Sequence, residues 1–334
     1  MITEIHRYLK RHHLVLCNLI DIESKKTISD SQLRRILSAI DVMKFQSINS
    51  EYFGFKNQNV PKDRWISFDG KELRGTIDGV LGEKRGVNIV YPFVQEDKIS
   101  LEGLFYHGLK ESEINCVREL LKDNSLAESC VIFDALHTQY ETLTTIEESS
   151  GTYIAQVKKN QKELLEDLED HLVISKPFDH LGLLDKSHGR FDQRKGTFYD
   201  ISGIEFDQRR KPCKLSTLIV IDRESTQLKT GKITKERSFY VSNKSKYEMQ
   251  TNNFFNAIRN HWQIESNNYL RDTSFREDKV KCFENNRIKT LSIIISIVNN
   301  LLQNKKVKNI KAELEEIACY PTNAEPFFQK ITFL

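Results

Sequence analysis

No two of the six cysteines (Cys17, Cys116, Cys130, Cys213, Cys282 and Cys319) form a CxxC pair. That argues against a zinc ribbon or a dithiol redox motif, and reduced thiols in a cytosolic protein are the simpler reading. Long apolar runs are also missing. The most apolar stretch, residues 291–302, is about a dozen residues with Ser and Asn inside, against the ~20 needed to span a bilayer, so it reads as a buried helix. The first residues, Met-Ile-Thr-Glu-Ile-His-Arg, lack the charged-then-apolar pattern of a signal peptide. There is no GxxxxGKS, GxSxG or HExxH, and Gly79-Val80-Leu81-Gly82 is too sparse for a phosphate loop. No internal repeat is present, and no low-complexity tract beyond short lysine clusters. A large excess of one charge is absent too: 50 Lys and Arg stand against 47 Asp and Glu, a net +3. That sum does not establish nucleic-acid binding, but the cations are clumped, which matters more.

The chain is long enough, at 334 residues, for one large domain or two ordinary ones, and 39% hydrophobic content is ample for a core. Residues 1–50 read as helical, with Ser29 and Gln32 spaced as a capping box before Leu33, Ile36, Leu37 and Ile40. Residues 51–64, holding Gly54 and Pro61, read as a linker. Strands are expected at 65–69, 86–94 and 99–106, the last two joined by a polar hairpin loop at 95–98. An amphipathic helix through Ile114 and Leu121 precedes a strand at 130–134, a helix at about 139–149 and a strand at 153–157. Asn160 and Glu163 are spaced to cap the next helix. This order implies an α/β fold, a ribonuclease H-like mixed sheet with flanking helices, in which the first and fourth strands are neighbours. Residues 175–245 break the alternation with short strand-like runs at 197–201, 215–221 and 238–241, and read as an all-β insertion. The helical pattern then resumes from about 248 past Asp272, with a possible break at Ser266-Asn267-Asn268, and a buried helix spans about 284–302. Pro321 and Pro326 are expected to end any helix in the tail. The expected division is a helical region at 1–60, a catalytic domain at 61–305 with its insertion at about 175–245, and a tail at 306–334.

Two aspartates end apolar strands: Asp69 after Trp65-Ile66-Ser67-Phe68, and Asp134 after Val131-Ile132-Phe133. A lone buried charge is costly, so such acids must be paired, protonated or bound to metal. A third acid, Glu265, sits in Arg259-Asn260-His261-Trp262-Gln263-Ile264-Glu265. Three carboxylates of this kind suit a pair of hard divalent ions. The plainer reading is that each aspartate caps a turn. Asp272 shares a helical face with Glu265 and rivals it, as do Glu277 and Asp278. His261 reads equally as a histidine hydrogen-bonded at the sheet edge, and Trp262 as core. Cations gather near the acids: Lys71 and Arg74, Lys158 and Lys159, Arg259 and Arg271. The insertion adds Lys186, His188, Arg190, Arg194, Lys195, Arg209, Arg210 and Lys211. Such side chains hold phosphates without reading sequence, or simply form a solvated surface.

These stretches resemble a known family. Phe68-Asp69-Gly70-Lys71-Glu72-Leu73-Arg74-Gly75 resembles the DGKxLRG motif of the ISAs-type insertion-sequence transposases, the H-repeat-associated proteins. Phe133-Asp134-Ala135, the strand ending Lys158-Lys159-Asn160-Gln161, His188-Gly189-Arg190, the RxHWxIE run to Glu265, and Phe275-Arg276-Glu277-Asp278 are similar to further motifs in the same order. Together they cover about residues 25–305. The resemblance implies a DDE transposase with Asp69, Asp134 and Glu265 as catalytic and metal-binding triad, Glu265 being chosen over Asp272. It implies two magnesium ions, with manganese able to substitute. Lys71, Arg74, Lys158, Lys159, Arg190, Arg259, His261 and Arg271 are the expected DNA contacts. The expected partners are double-stranded DNA, both element ends and target, and a second copy of the chain, with no membrane; the expected location is cytoplasmic, at the nucleoid. The sequence departs from the family after Glu265, at Ser266-Asn267-Asn268-Tyr269, and its N-terminal helical region is shorter than the family's usual one. That leaves two alternatives, a catalytically inactive or domesticated DNA-binding remnant and a stand-alone metal-dependent nuclease.

Overall fold

The computed structural model describes residues 2–55, 60–77, 85–108, 110–122, 126–187, 189–204 and 213–328. His188, Arg209, Arg210, Lys211 and residues 79–82, singled out above, lie outside them. In chain order the first elements are α1 (Ile2–Arg11), α2 (His13–Leu19), α3 (Asp30–Ala39), α4 (Val42–Tyr52) and β1 (Trp65–Leu73). They are followed by β2 (Val87–Val94), β3 (Ile99–Ser100), β4 (Leu104–Tyr106), α5 (Lys110–Lys122), β5 (Cys130–Phe133), α6 (Tyr140–Glu148), β6 (Thr152–Val157) and α7 (Lys162–Ile174). Next come β7 (Asp179–Ser187), β8 (Arg190–Asp200), β9 (Thr217–Gln227), β10 (Ile233–Ser242) and α8 (Thr251–Asn260). The last are α9 (Gln263–Thr273), α10 (Asn285–Asn304), α11 (Ile310–Cys319) and α12 (Glu325–Phe328). The class is the expected one, a large mixed sheet flanked by helices in ribonuclease H-like order, with an all-β insertion before α8 and α9.

Two compact units share these elements. One comprises Met1–Gln58, Gly70–Leu109 and Glu265–Leu334; the other comprises Asn59–Asp69 and Lys110–Ile264. β1 and α9 each run through a boundary between them. Both units are discontinuous in sequence, and no linear division by residue number reproduces them.

In the first unit β2 is buried along its whole length and lies between β3 and β1 in the strand order, with β4 also paired to β2. The expected third strand is split at Gly103, where a Cβ would stand 2.6 Å from Val90 O. The Gly103 N–H donates instead to Gln46 Oε1 at 2.7 Å. Helix α10 packs on α3, α4 and β3. The polar residues that interrupt its apolar run have buried partners: Asn300 Nδ2 donates to Ser100 O at 2.9 Å, and Ser100 N–H donates to Asn300 Oδ1 at 3.0 Å. Burying these groups is tolerable only because they are paired. Ser29 caps α3 as the spacing predicts, its side chain accepting from Gln32 N and its own N–H donating to Gln32 Oε1 at 2.9 Å. In the tail α11 ends at Cys319, two residues before Pro321, as expected, whereas Pro326 does not end a helix but stands in the first turn of α12, where a missing N–H costs nothing.

In the second unit the strand order is β1–β5–β6–β10–β9–β8–β7. β1, β5 and β6 are parallel, and the four insertion strands form an antiparallel meander that joins β6 through β10, Phe239 opposite Val157. The insertion strands are longer than the apolar runs suggest because their outer halves carry charge. Arg237 Nε meets Asp222 Oδ1 at 2.7 Å and Lys235 Nζ meets Glu224 Oε2 at 2.9 Å across β9 and β10. Cross-strand charge pairs of this kind support a ladder without an apolar residue. α8 packs Phe254 and Phe255 against Phe198, Ile219 and Ile221. The helix that the sequence carries from 248 past Asp272 breaks earlier than expected, at His261-Trp262, which separate α8 from α9. Asn160 does not cap α7; the chain passes first through a short 3₁₀ turn.

Glycine at one motif position is set by packing. A Cβ on Gly75 would lie 2.2 Å from Val280 O, a backbone atom with little room to give. Gly75→Ala is expected to lower stability by about 1–3 kcal/mol. Gly182→Ala, at a position with nothing within 4 Å, is expected to change it by no more than about 0.5 kcal/mol. Urea unfolding midpoints of the two variants check this.

Candidate active site

β1 and β5 pair in parallel with Trp65 opposite Cys130, Ile66 opposite Val131 and Ser67 opposite Ile132. Asp69 and Asp134 each follow the last registered pair by two residues, so they lie level on adjacent parallel strands; Asp134 directly follows β5, whereas β1 runs on through Asp69 to Leu73, beyond the strand expected at 65–69. Ile66, Ser67, Val131, Ile132 and Phe133 are almost wholly out of solvent, and since successive residues point to opposite faces, both faces of the paired stretch are covered. Asp69 is half-buried and Asp134 is exposed.

Asp134 does form the turn that its residue type favours: Leu136 N–H donates to its Oδ1 at 2.9 Å. That bond engages one carboxylate oxygen and orients the other. The loop after Asp134 is pegged from the side by the end of β6. Asn160 Nδ2 and Gln161 Nε2 both donate to Ala135 O, at 2.7 and 2.8 Å, and Gln161 Nε2 reaches Thr138 O at 2.9 Å. The Thr138 hydroxyl donates to Gln156 O at 2.6 Å. The Asn-Gln pair is therefore a positioning device for the second aspartate, a role that sequence reasoning missed although the motif was visible. His137 was missed as well; it is buried, with Nε2 3.2 Å from Glu113 Oε1 and its ring edge-on to Phe133.

His261 caps α8 and shares a hydrogen bond of 3.2 Å between its Nδ1 and Ser67 Oγ on β1. β1 is flanked on both sides, so this is not a sheet edge. Withdrawal from water pulls the imidazole pKa down to about 4, against the attraction of Asp134 and with repulsion from His137 and Lys158. The ring is neutral at pH 7. Trp262, expected in the core, is 54% exposed, while Ile264 beside it is buried.

Glu265 is exposed in the first turn of α9, in the first unit. A carboxylate is favoured at that end of a helix. Asp272, its rival, is held in an ion pair by the buried Lys71. Burial raises the Asp272 pKa, with Lys71 opposing. Lys71 Nζ also stands 3.4 Å from Asp278 and 3.9 Å from Glu277. Arg271 is fully buried; its Nε and Nη2 donate to the two oxygens of Glu277 at 2.8 and 2.7 Å, and Nη1 donates to Ser296 Oγ at 2.6 Å. Burial opposes both charges of this pair, yet each partner holds the other ionised: the Arg271 pKa is raised and the Glu277 pKa lowered. Arg276, just before Glu277, sits at φ 55°, a left-handed conformation that costs a non-glycine residue free energy. The Phe-Arg-Glu-Asp motif thus supplies counter-ions for Lys71 and Arg271, and these two cations are internal rather than displayed.

The remaining expected DNA contacts are nearer the surface. Lys158, Lys159 and Arg190 are exposed. Arg74 is exposed along its side chain, with Nε 3.7 Å from Asp278. Arg259 is half-buried, its Nη2 3.4 Å from Asp185 Oδ2. Among the described residues no three His, Cys, Asp or Glu side chains stand together as a group that could hold a metal ion. The level pair Asp69 and Asp134 nonetheless fits a hard cation, since magnesium is usually held by one or two carboxylates with water and substrate phosphates making up the rest.

Adjacent parallel strands that set two aspartates level define the class, a ribonuclease H-like protein with a pair of carboxylates. The chain belongs to the family described as the transposase DDE domain, whose model matches residues 106–301. Asp134 and Glu265 fall inside that match and Asp69 precedes it. The chain is similar to YncI of Escherichia coli O157:H7, 26% identical over 304 residues, which are 87% of this chain and 76% of that protein. It is also similar to YbfL and YhhI of Escherichia coli K12, each 27% identical over 297 residues, 86% of this chain and 76% of the relative. YncI and YhhI carry transposase in their names, and YhhI is further named as H repeat-associated. These matches place the chain among insertion-sequence, mobile-element proteins, a family that acts on DNA and generally uses divalent metal ions. Among the described residues no helix is long and apolar enough to cross a membrane.

The withdrawn imidazole of His261 has a consequence for stability. Its folded pKa, about 4, lies below the ordinary 6.5, so between those values the unfolded chain binds the additional proton. Stability from this group is complete above pH 6.5 and is lost as the pH falls toward 4. Between pH 7 and pH 5 the loss is expected to be about 2 kcal/mol. His261→Gln, which keeps a partner for Ser67 and does not titrate, is expected to lose less over the same interval. Urea titrations of both proteins at the two pH values measure the difference.

Proposed function

We propose that the protein is an insertion-sequence transposase that cuts DNA at the element's ends and joins the freed ends to target DNA. The observation that carries this reading is the level placement of Asp69 and Asp134 on adjacent parallel strands, in a chain of the transposase DDE family. Asp69 and Asp134 would hold divalent cations, magnesium with manganese able to substitute, and Glu265 is proposed as the third acid on the likeness of its motif to the family's. Bound there, the ions supply positive charge where negative charge builds on the phosphate oxygens. The chain's own residues supply position. Leu136 N–H, Asn160 and Gln161 orient Asp134 and its loop. Lys71 and Arg271, engaged by carboxylates, fix the C-terminal half of α9, whose first turn carries Glu265. His261, neutral and bonded to Ser67, steadies β1 just before Asp69. Lys158, Lys159, Arg74 and Arg190 hold DNA phosphates, with Arg259 beside them.

In the first reaction a water oxygen forms a bond to phosphorus and the bond to the 3′ oxygen breaks, freeing a 3′-hydroxyl. In the second that hydroxyl forms a bond to a target phosphorus, which releases its own 3′ oxygen. Both are in-line displacements at one site. The partners in this reading are double-stranded DNA and a second copy of the chain, since two ends must be brought together; the setting is the nucleoid in the cytoplasm.

Purified protein, magnesium and DNA carrying candidate terminal inverted repeats test the reading. Cut and joined product supports it. Cutting without joining leaves a nuclease, and binding alone leaves a DNA-binding remnant. Asp134→Asn and Glu265→Gln are each expected to lower metal-dependent cleavage at least about a hundredfold, the upper end of what losing even an outer partner of a metal ligand costs. DNA binding should persist in both. Asp272→Asn should cost less cleavage and more stability; normal cleavage by Glu265→Gln beside a dead Asp272→Asn protein would reverse the choice of third acid.

A further inference from the structure

On one face of the β7–β10 meander the residues change character along the strands. Near α8 the face is apolar, with Phe198 and Ile219 in the core. Beyond Gly196, where a Cβ would meet the Phe255 ring at 2.6 Å, it turns charged. Asp192 and Arg194 of β8, Arg223 of β9 and Glu236 of β10 line a cleft of about 550 Å³, together with Asp185, Arg190, Arg259 and Trp262. Arg194 stands opposite Arg223 in register, and Arg223 opposite Glu236. Four arginines therefore face three carboxylates.

The pairing is incomplete. Asp192 Oδ2 accepts from Arg194 Nη2 at 3.1 Å and from Arg223 Nη2 at 2.9 Å. Arg259 is turned to Asp185. This leaves Arg194 Nη1 and Arg223 Nε buried without an acceptor, and Asp192 Oδ1 buried without a donor. Charged N–H groups out of water and unpaired are unfavourable unless a ligand or water accepts from them. Burial and the neighbouring Arg223 lower the Arg194 pKa, which marks crowded positive charge that a bound anion relieves. Guanidinium forks match the oxygens of a phosphate better than any other side chain.

We propose that this cleft is a metal-independent seat for one phosphodiester of DNA, gripped by Arg194 and Arg223 and entered past the exposed Arg190. The proposal deepens the transposase reading and rests on it for the identity of the anion. It assigns to the insertion a binding role separate from Asp69, Asp134 and Glu265. It also makes Asp192 the residue that aims the two guanidinium groups.

Binding of a short labelled duplex to the full chain, in EDTA over a salt series, tests this. Arg194→Gln and Arg223→Gln are each expected to weaken binding roughly tenfold and to reduce the slope of log affinity against log salt by about 1. Should those variants fail to fold, the unaltered protein decides by fluorescence. Trp65 is buried and Trp262 is exposed at the rim of the cleft, so a DNA-dependent change in emission that Trp262→Phe removes supports the seat, and inorganic phosphate in excess should reverse it. Unchanged affinity and slope in folded arginine variants would overturn the proposal, as would emission that DNA leaves unaltered. Metal-dependent cleavage by the unaltered protein is read separately. Its absence with the arginine effects intact counts against the transposase reading alone, and its presence with those effects missing counts against the cleft alone.

Discussion

The parallel pairing of β1 with β5 is the constraint on which the candidate site depends. Both strands are buried on the approach to their aspartates, and the ladder ties Ser67 to Ile132. Neither carboxylate has to be carried to its place by a flexible loop. Asp134 leaves the sheet where β5 ends, whereas Asp69 stands in the middle of β1, which continues to Leu73, and the shared register sets the two level. The hydrogen bonds from Leu136, Asn160, Gln161 and Thr138 secure the segment that follows, where a parallel strand would otherwise fray.

Charge is handled in two ways. Arg271 and Lys71 are withdrawn from water and matched by Glu277, Asp272 and Asp278. A buried ion pair contributes little net stability against an apolar equivalent, but removing one partner alone is severe, so such a network holds one arrangement of its helices against others. The cluster ties α9 to α10 through Ser292 and Ser296. In the insertion the balance is different: Asp192 is shared between two arginines, and charge is left over at a cleft. The same residue type is thus structural in one unit and a candidate contact in the other, and burial with full pairing is what separates the two cases.

His261 shows how a motif residue can be misjudged from its type. Histidine next to acids suggests a proton carrier or a phosphate contact. Here the ring is pulled toward neutrality and bonded to Ser67, so it serves β1. Trp262, in the same motif, is turned outward because the break between α8 and α9 falls at this dipeptide.

Much was determined by the chain alone. Apolar strand residues leading into aspartate, the capping box at Ser29, the amphipathic helices and the alternation that makes a ribonuclease H-like order are local patterns, and local patterns survive in sequence, though β1 runs four residues past Asp69. The β insertion was legible as a change of composition, though its strands were underestimated, because cross-strand pairs such as Arg237 with Asp222 replace apolar residues and look like loop when read singly. The unequal roles of the cations were not legible. Lys71 and Arg74 lie three residues apart in one motif, yet one is internal and the other exposed, and the partners that decide this, Asp272 and Asp278, lie some two hundred residues away. The discontinuous units, the peg that Asn160 and Gln161 make on Ala135, and the guanidinium N–H groups of the cleft that lack acceptors likewise arise between distant segments. Burial and hydrogen-bond partnership are properties of the packed chain, and only the tertiary structure decides them.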